Sequence, residues 1–260
     1  MSAIFADSRL RPFVVLGFKL FRWRARSLVA GGRARAFVMG QQLIEQYGSN
    51  STQGDRVIPI WPILSSDFVT HPRSTTTPAR RNESAKVLYV GRLSEEKNVA
   101  SLIEAVGLLA QEGKNVALTV VGFGECRRSL EELARRTGVD SIVHFKGYVP
   151  HGPPLIEEFD NHDIFCLPSF TEGTPRVILE ALARGLSVCA TPIPGLVDEF
   201  ADHVAFAKGF SPEDLARILL KSMAFEQRGR GEVLDRFLSR FLVKNNAEVV
   251  ARIVVELSNR

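Results

Sequence analysis

From residue 85 onward, short apolar runs alternate with segments whose apolar residues recur every three or four positions. Residues 86–90, 116–121, 142–145, the run from Ile164, 187–190 and 203–207 read as strands. Residues 98–111, 125–137, 154–161, the segment after Thr174 and 196–201 read as helices, with Gly113 and Gly138 closing the first two. Such alternation predicts an α/β fold: a doubly wound parallel sheet with helices on both faces. Ligands of such sheets bind beyond the carboxyl ends of the strands. After residue 208 the pattern turns helical. Ser211 caps 212–227, residues 228–231 break the helix, and 233–257 resume it with Phe237, Phe241, Val249, Ile253 and Val254 apolar.

Ahead of residue 85 the pattern is weaker. Residues 36–39 are strand-like, 43–47 helical up to Gly48, and 57–64 extended but broken by Pro59 and Pro62. Residues 74–84, polar and aperiodic with one proline, read as a linker. The expected division is therefore 1–84, 85–225 and a C-terminal helix over 226–260. Residues 13–28 interleave Phe18, Phe21 and Trp23 with Lys19, Arg22, Arg24 and Arg26. Two readings stand for them: a basic amphipathic helix on an anionic membrane surface, or a helix docked on the second domain with its arginines in water.

Charge sharpens that contrast. The net charge of +4 divides into +7 over residues 1–40, with eight basic residues and one acid, and −3 over the rest. The basicity belongs to one arm, so no nucleic-acid partner is expected. Of the three cysteines, Cys126, Cys166 and Cys189, two lie within predicted strands, which fits buried free thiols in a reducing compartment. No apolar run reaches the ~20 residues that span a bilayer, and Arg9, Arg11 and Lys19 interrupt any leader-like segment. The expected location is cytoplasmic, with peripheral attachment through residues 9–35 under the membrane reading.

Chemistry concentrates in residues 167–194. Thr174 is placed as N-cap and Pro175 as the first helical residue. Val177, Ile178, Ala181 and Leu182 form one apolar stripe, and Gly185 ends the helix. Glu172 precedes the helix, and Glu180 lies on the flank of the stripe. The unpaired N–H groups between them make a place for an anion. Carboxylates would repel that anion, so both are read as acceptors for hydroxyls, and an anion flanked by hydroxyls describes a nucleotide sugar. By themselves they read first as two exposed glutamates.

Further loops follow the earlier strands. Gly91-Arg92-Leu93 with Lys97 offers a fork of donors and a mobile point charge for phosphate, or an ordinary surface pair near Glu95 and Glu96. Gly122-Phe123-Gly124 lacks a third glycine, Arg127 standing there, and the next strand ends in Lys146 rather than an acid. That excludes a nicotinamide fingerprint. The five histidines show no metal spacing, and neither Asp-x-Asp, GxSxG nor a lysine P-loop occurs.

Taken together, VGRLSEEKN, the VGFG turn, FKGYV and PSFTEGTPRVILEALARG resemble, in order, the motifs of group-1 glycosyltransferases of the GT-B fold. The resemblance covers 85–225 and implies the Rossmann-like, nucleotide-sugar donor-binding half of such an enzyme. It assigns the donor diphosphate to Arg92 and Lys97, the sugar to Glu172 and the ribose to Glu180. Close approach to the donor is assigned to Gly91, Gly122 and Gly124, and the base to Tyr148 and Val149. Phosphate contacts fall to Gly173, Thr174, Arg176 and Val177. Three departures stand out. Asn98 replaces a glycine. Pro175 removes a phosphate-binding N–H, for which the Arg176 side chain compensates. Ile60-Trp61 replaces an Asn-Gly.

The implied reaction transfers a sugar from a nucleoside diphosphate sugar to a hydroxyl of a polysaccharide, glycolipid or lipid-linked acceptor, with retention and without metal or cofactor. Catalytic roles fall to Arg92, Lys97 and Glu172. Residues 1–84 resemble only the last part of the family's N-terminal acceptor domain. The alternative is a truncated, non-catalytic nucleotide-sugar-binding module, or the donor subunit of an enzyme whose second chain supplies the acceptor domain.

Overall fold

A computed structural model describes residues 36–38, 57–59, 64–70, 84–224 and 232–242. The basic arm, the 43–47 helix, most of the 74–84 linker and the helix beyond residue 242 lie outside the described residues. The chain divides into two compact units, Met1–Ile60 and Trp61–Arg260. In the first, β1 (Ala36–Val38) pairs in parallel with β2 (Val57–Pro59). The second opens with a short helical turn, α1 (Asp67–Thr70), ahead of the polar linker.

The remaining elements alternate as the hydrophobic pattern predicts. They run β3 (Ala85–Val90), α2 (Val99–Gln111), β4 (Val116–Val121), α3 (Arg127–Arg136), β5 (Val143–Gly147) and α4 (Pro153–Asp160). Then come β6 (Ile164–Leu167), α5 (Arg176–Ala183), β7 (Ser187–Ala190), α6 (Pro194–Phe200), β8 (Ala205–Phe206), α7 (Pro212–Met223) and α8 (Glu232–Ser239). The sheet is parallel, in the order β5-β4-β3-β6-β7-β8. The chain winds outward from β3 in one direction, returns, and winds outward from β6 in the other. The switch point between β3 and β6 leaves a crevice at their carboxyl ends.

Strand periodicity sends alternate side chains to opposite faces, and both faces are buried. Val87, Tyr89, Leu118, Val120, Ile164, Cys166 and Cys189 join a cluster with α2, α3 and α7. Leu88, Val121, Phe165, Leu167, Val188 and Ala190 join a second cluster with α4, α5 and α6. On α2, Leu102, Ile103 and Val106 are fully buried, each contributing about 1.5–3 kcal/mol relative to exposure. All three cysteines are free, and Cys166 and Cys189 are register partners on β6 and β7.

The second cluster also takes in Leu64 and Phe68, both fully buried, together with Leu238 and Phe241 of the C-terminal segment. The Leu64 amide donates to the Phe241 carbonyl at 2.8 Å. Arg184, just past α5, is buried in a bidentate pair with Asp160, Nε and Nη2 each 2.8 Å from a carboxylate oxygen. Its Nη1 donates to the Phe68 carbonyl at 3.3 Å. The segment 64–70 is thus strapped to the back of α4 and α5.

At the carboxyl ends the loops meet backbone to backbone. The Gly91 amide donates to Val121, the Leu93 amide to Phe123 and the Gly122 amide to Gly147, at 3.0, 2.9 and 2.7 Å. Gly122 has φ 139, and a Cβ there would lie inside the Gly91 carbonyl. Gly122→Ala therefore combines a backbone conformation that L residues avoid with a steric overlap. It should lose at least about 2 kcal/mol in urea unfolding. Gly173→Ala, with nothing within 4 Å of the added carbon, should stay within about 0.5 kcal/mol of the parent.

Candidate nucleotide site

The site is built from the exits of β3, β4, β5 and β6 and the start of α5. Tyr89, fully buried, donates its phenolic hydrogen to the Arg92 carbonyl at 2.7 Å. Burial, and then the charges of Glu172 and Glu96, push its ionisation far above the usual tyrosine range, so it remains a donor. The turn this bond fixes buries Leu93 and leaves Arg92 exposed.

A 3-10 turn, Glu95–Lys97, follows, and Asn98 then takes a left-handed conformation at φ 52. Its Nδ2 donates to the Phe210 carbonyl at 3.2 Å, and its Oδ1 accepts from Ser101 at 2.7 Å. The asparagine meets the backbone demand expected of it and uses its side chain as well. Its Oδ1 does not cap α2 through a backbone N–H.

Across the switch point, the Phe170 amide donates to the Glu96 carbonyl at 2.9 Å. Lys97 Nζ lies 2.8 Å from Glu172 Oε1, and Ser169 Oγ donates to the same oxygen at 2.6 Å. Ser169 is fully buried, and its carbonyl accepts from the Thr191 hydroxyl at the end of β7. The pairing of Lys97 with Glu172 joins two residues that the sequence reading gave to different parts of a ligand. It also offsets the carboxylate's repulsion of an anion at this point.

The helix start differs by one residue from the sequence expectation. Pro175 is the N-cap, extended at φ −74 and ψ 112, and α5 begins at Arg176. Thr174 does not cap it; its Oγ1 is buried and has no hydrogen-bond partner among the described residues. The Ile178 amide turns back to the Pro175 carbonyl at 3.2 Å, leaving the Arg176 and Val177 amides at the open end. Arg176 and Gly173 are exposed, and Val177 packs on the second core cluster.

Glu180, one and a half turns in, is buried, which overturns the reading of two exposed glutamates. His151 Nε2, from the loop after β5, lies 3.3 Å from Glu180 Oε1. Burial pushes the Glu180 carboxyl up, with His151 and then Arg176 offsetting part of the shift. Beyond β4 and β5, Phe123 and Tyr148 are 65% and 69% exposed, with ring centroids 6.1 Å apart, edge to face. Val149 is half-buried against the second cluster. Lys146 is committed to Glu158 of α4 at 2.6 Å.

Lys97 and Glu172 thus meet at the switch point, while Gly91 and Arg92 stand at the exit of β3 with Gly122 and Gly124 packed against their loop. A Cβ at Gly124 would overlap the Leu93 carbonyl. Sequence reasoning missed Tyr89, Thr191, His151 and Phe123, and gave Ser169 no role although it stands in the quoted motif. Among the described residues no three His, Cys, Asp or Glu are grouped to hold a metal. No described helix is long and apolar enough to cross a membrane.

The sequence profile of the family described as glycosyl transferases group 1 matches residues 74–237. This chain belongs to that family. Similar members include the amylovoran biosynthesis glycosyltransferase AmsK of Erwinia amylovora, 27% identical over 66% of this chain and 46% of that protein. The putative colanic acid biosynthesis glycosyltransferase WcaL of Escherichia coli K12 is 32% identical over 59% of this chain and 38% of its own length. The chain therefore spans less than half the length of these two curated glycosyltransferases.

The fold agrees. The lipopolysaccharide outer core galactosyltransferase WaaB superposes with TM-score 0.68 at 18% identity, covering 85% of this chain and 62% of WaaB. Anabaena HepE, solved with UDP and glucose, gives 0.64 at 17% identity, over 87% and 63% of the two chains. The doubly wound sheet is thus the GT-B glycosyltransferase arrangement.

The electrostatics of Glu180 give a prediction with a definite sign. The folded chain holds the Glu180 proton to higher pH than the unfolded chain does. Stability therefore falls as pH rises from the ordinary carboxylate range through the raised value, and stays lower above it. Glu180→Gln removes this cost. The variant should melt above wild type at pH 7, by about 2–4 °C per kcal/mol relieved. The gap should close as pH falls into the ordinary carboxylate range. A lower melting temperature at pH 7 would mean that His151 and Arg176 outweigh burial.

Proposed function

We propose that residues 85–225 bind a nucleoside diphosphate sugar and that the protein transfers its glycosyl group to a hydroxyl of a polysaccharide or glycolipid acceptor. The observation that carries this reading is the cluster at the switch point: Lys97, Glu172 and Ser169 within hydrogen-bond distance, beside the open end of the helix that carries Glu180. The unpartnered Thr174 hydroxyl at that helix end supports it further, since a phosphate oxygen would supply the missing acceptor. Family membership, and the UDP and glucose held by the HepE structure, support the choice of ligand class.

In this reading Arg92 and Lys97 meet the diphosphate, aided by the positive end of α5. Glu172 orients the sugar hydroxyls, Glu180 those of the ribose, and Tyr148 and Val149 receive the base. The bond from the anomeric carbon to the diphosphate oxygen breaks and one to the acceptor oxygen forms. The acceptor's proton passes to the leaving diphosphate. Charge on that leaving group is met by Arg92, Lys97 and the helix end, so the transfer needs no metal, and attack on the face the diphosphate leaves retains configuration.

Calorimetric titration of the whole chain with UDP, GDP and ADP tests the reading. One nucleotide should bind in the micromolar range, and Arg92→Ala should weaken it at least about tenfold, the worth of one charge-assisted hydrogen bond. Glu180→Ala should weaken the same nucleotide. Absence of binding by all three, or binding indifferent to Arg92→Ala, overturns the donor-site assignment.

A further inference from the structure

The histidine beside Glu180 has no part in the reading so far. His151 follows Tyr148 and Val149 in the loop after β5, and crosses to α5 to bring Nε2 within 3.3 Å of Glu180 Oε1. Its side chain is 47% exposed, whereas that of Glu180 is 7% exposed. A buried carboxylate that lacks water to orient it takes its orientation from its fixed partners. An ionised carboxylate only accepts hydrogen bonds, so in that state the proton lies on Nε2 and His151 is the donor.

The histidine is itself held from behind. The Phe68 ring stands 5.4 Å from the His151 ring, centroid to centroid, tilted by 43°. Phe68 cannot swing away, because it is fully buried, 5.8 Å from Phe159, and its carbonyl accepts from Arg184. The neighbours that act on the Glu180 carboxyl are His151 and, at longer range, Arg176, which extends from the exposed start of the same helix. Of the two, only His151 comes from another element and makes a hydrogen bond.

We propose that His151 is a positioning residue: backed by Phe68, it ties down one oxygen of Glu180 so that the remaining lone pairs face the vicinal hydroxyls of a ribose. The inference rests on the proposed donor site and adds a residue to it. A carboxylate has about four acceptor positions. With one taken by a fixed imidazole, the carboxylate plane is set, and two neighbouring hydroxyls can both donate to it. Without the imidazole the carboxylate rotates and the diol loses its matched acceptor.

The test compares a ribonucleotide with its deoxy forms. Whichever of UDP, GDP and ADP binds wild type is titrated beside its 2′-deoxy and 3′-deoxy counterparts, into wild type, His151→Ala and His151→Gln. Wild type should prefer the ribonucleotide. His151→Ala should reduce that preference about tenfold, with the deoxy forms binding nearly as before. His151→Gln, whose amide N–H can replace Nε2–H, should keep the preference within about threefold of wild type. An unchanged preference in His151→Ala, equal weakening of all three ligands, or His151→Gln behaving as His151→Ala overturns the proposal while leaving the donor site standing. If no nucleotide binds wild type, the donor site itself falls, and the proposal with it.

Discussion

The loops that leave β3 and β4 touch through their backbones, and the candidate site depends on that contact. With bare α-carbons at Gly122 and Gly124, the carbonyls of Gly91 and Leu93 come closer than any side chain would allow. The approach lets Leu93 accept from Cys126 and donate to Phe123, each at 2.9 Å. Tyr89 then locks the Arg92 carbonyl from within the core. Arg92 and Lys97 therefore leave a rigid frame although they are loop residues, and rigidity is what lets a cation meet a phosphate without first losing conformational entropy.

The second half of the site is held to the first by two bonds that cross the switch point. The Phe170 amide fixes the backbone, and Lys97 with Glu172 fixes the charge. A bare glutamate at this point would repel an anion, and the Lys97 ammonium offsets that repulsion. Joined, the two charges offset each other. Under the proposed reading, a phosphate on the Lys97 side can share the ammonium, whose three donors do not all serve one carboxylate oxygen.

Much of this was legible in the sequence. The period-2 strands and the glycines and prolines between them fix the order of elements, and the quoted motifs locate Arg92, Lys97, Glu172 and Glu180. What escaped is tertiary. Lys97 and Glu172 are 75 residues apart, and the link from Arg184 to Phe68 spans 116. Such pairs are set by sheet order, which local periodicity does not encode. Tyr89 reads as one more strand residue, and a lone histidine before two prolines carries no mark of a partner on the next helix but one. The start of α5 was misplaced for a local reason. Pro175 fits the first turn of a helix, yet here it holds an extended ψ that keeps it outside, and Thr174 loses its capping role with it.

Glu180 is where the proposed function bears on stability. A leucine there would suit the neighbouring core, since Ile178, Leu179, Ala181 and Leu182 around it are all buried. The carboxylate is instead desolvated and only partly compensated by His151 and Arg176, which is a cost in the empty protein. The same desolvation makes it a strong acceptor for hydroxyls, because an incompletely paired buried charge gains most from new donors. Under the proposed reading, stability lost at Glu180 is recovered when ribose hydroxyls donate to it, and Phe68 of the 64–70 segment packs against the histidine that holds it.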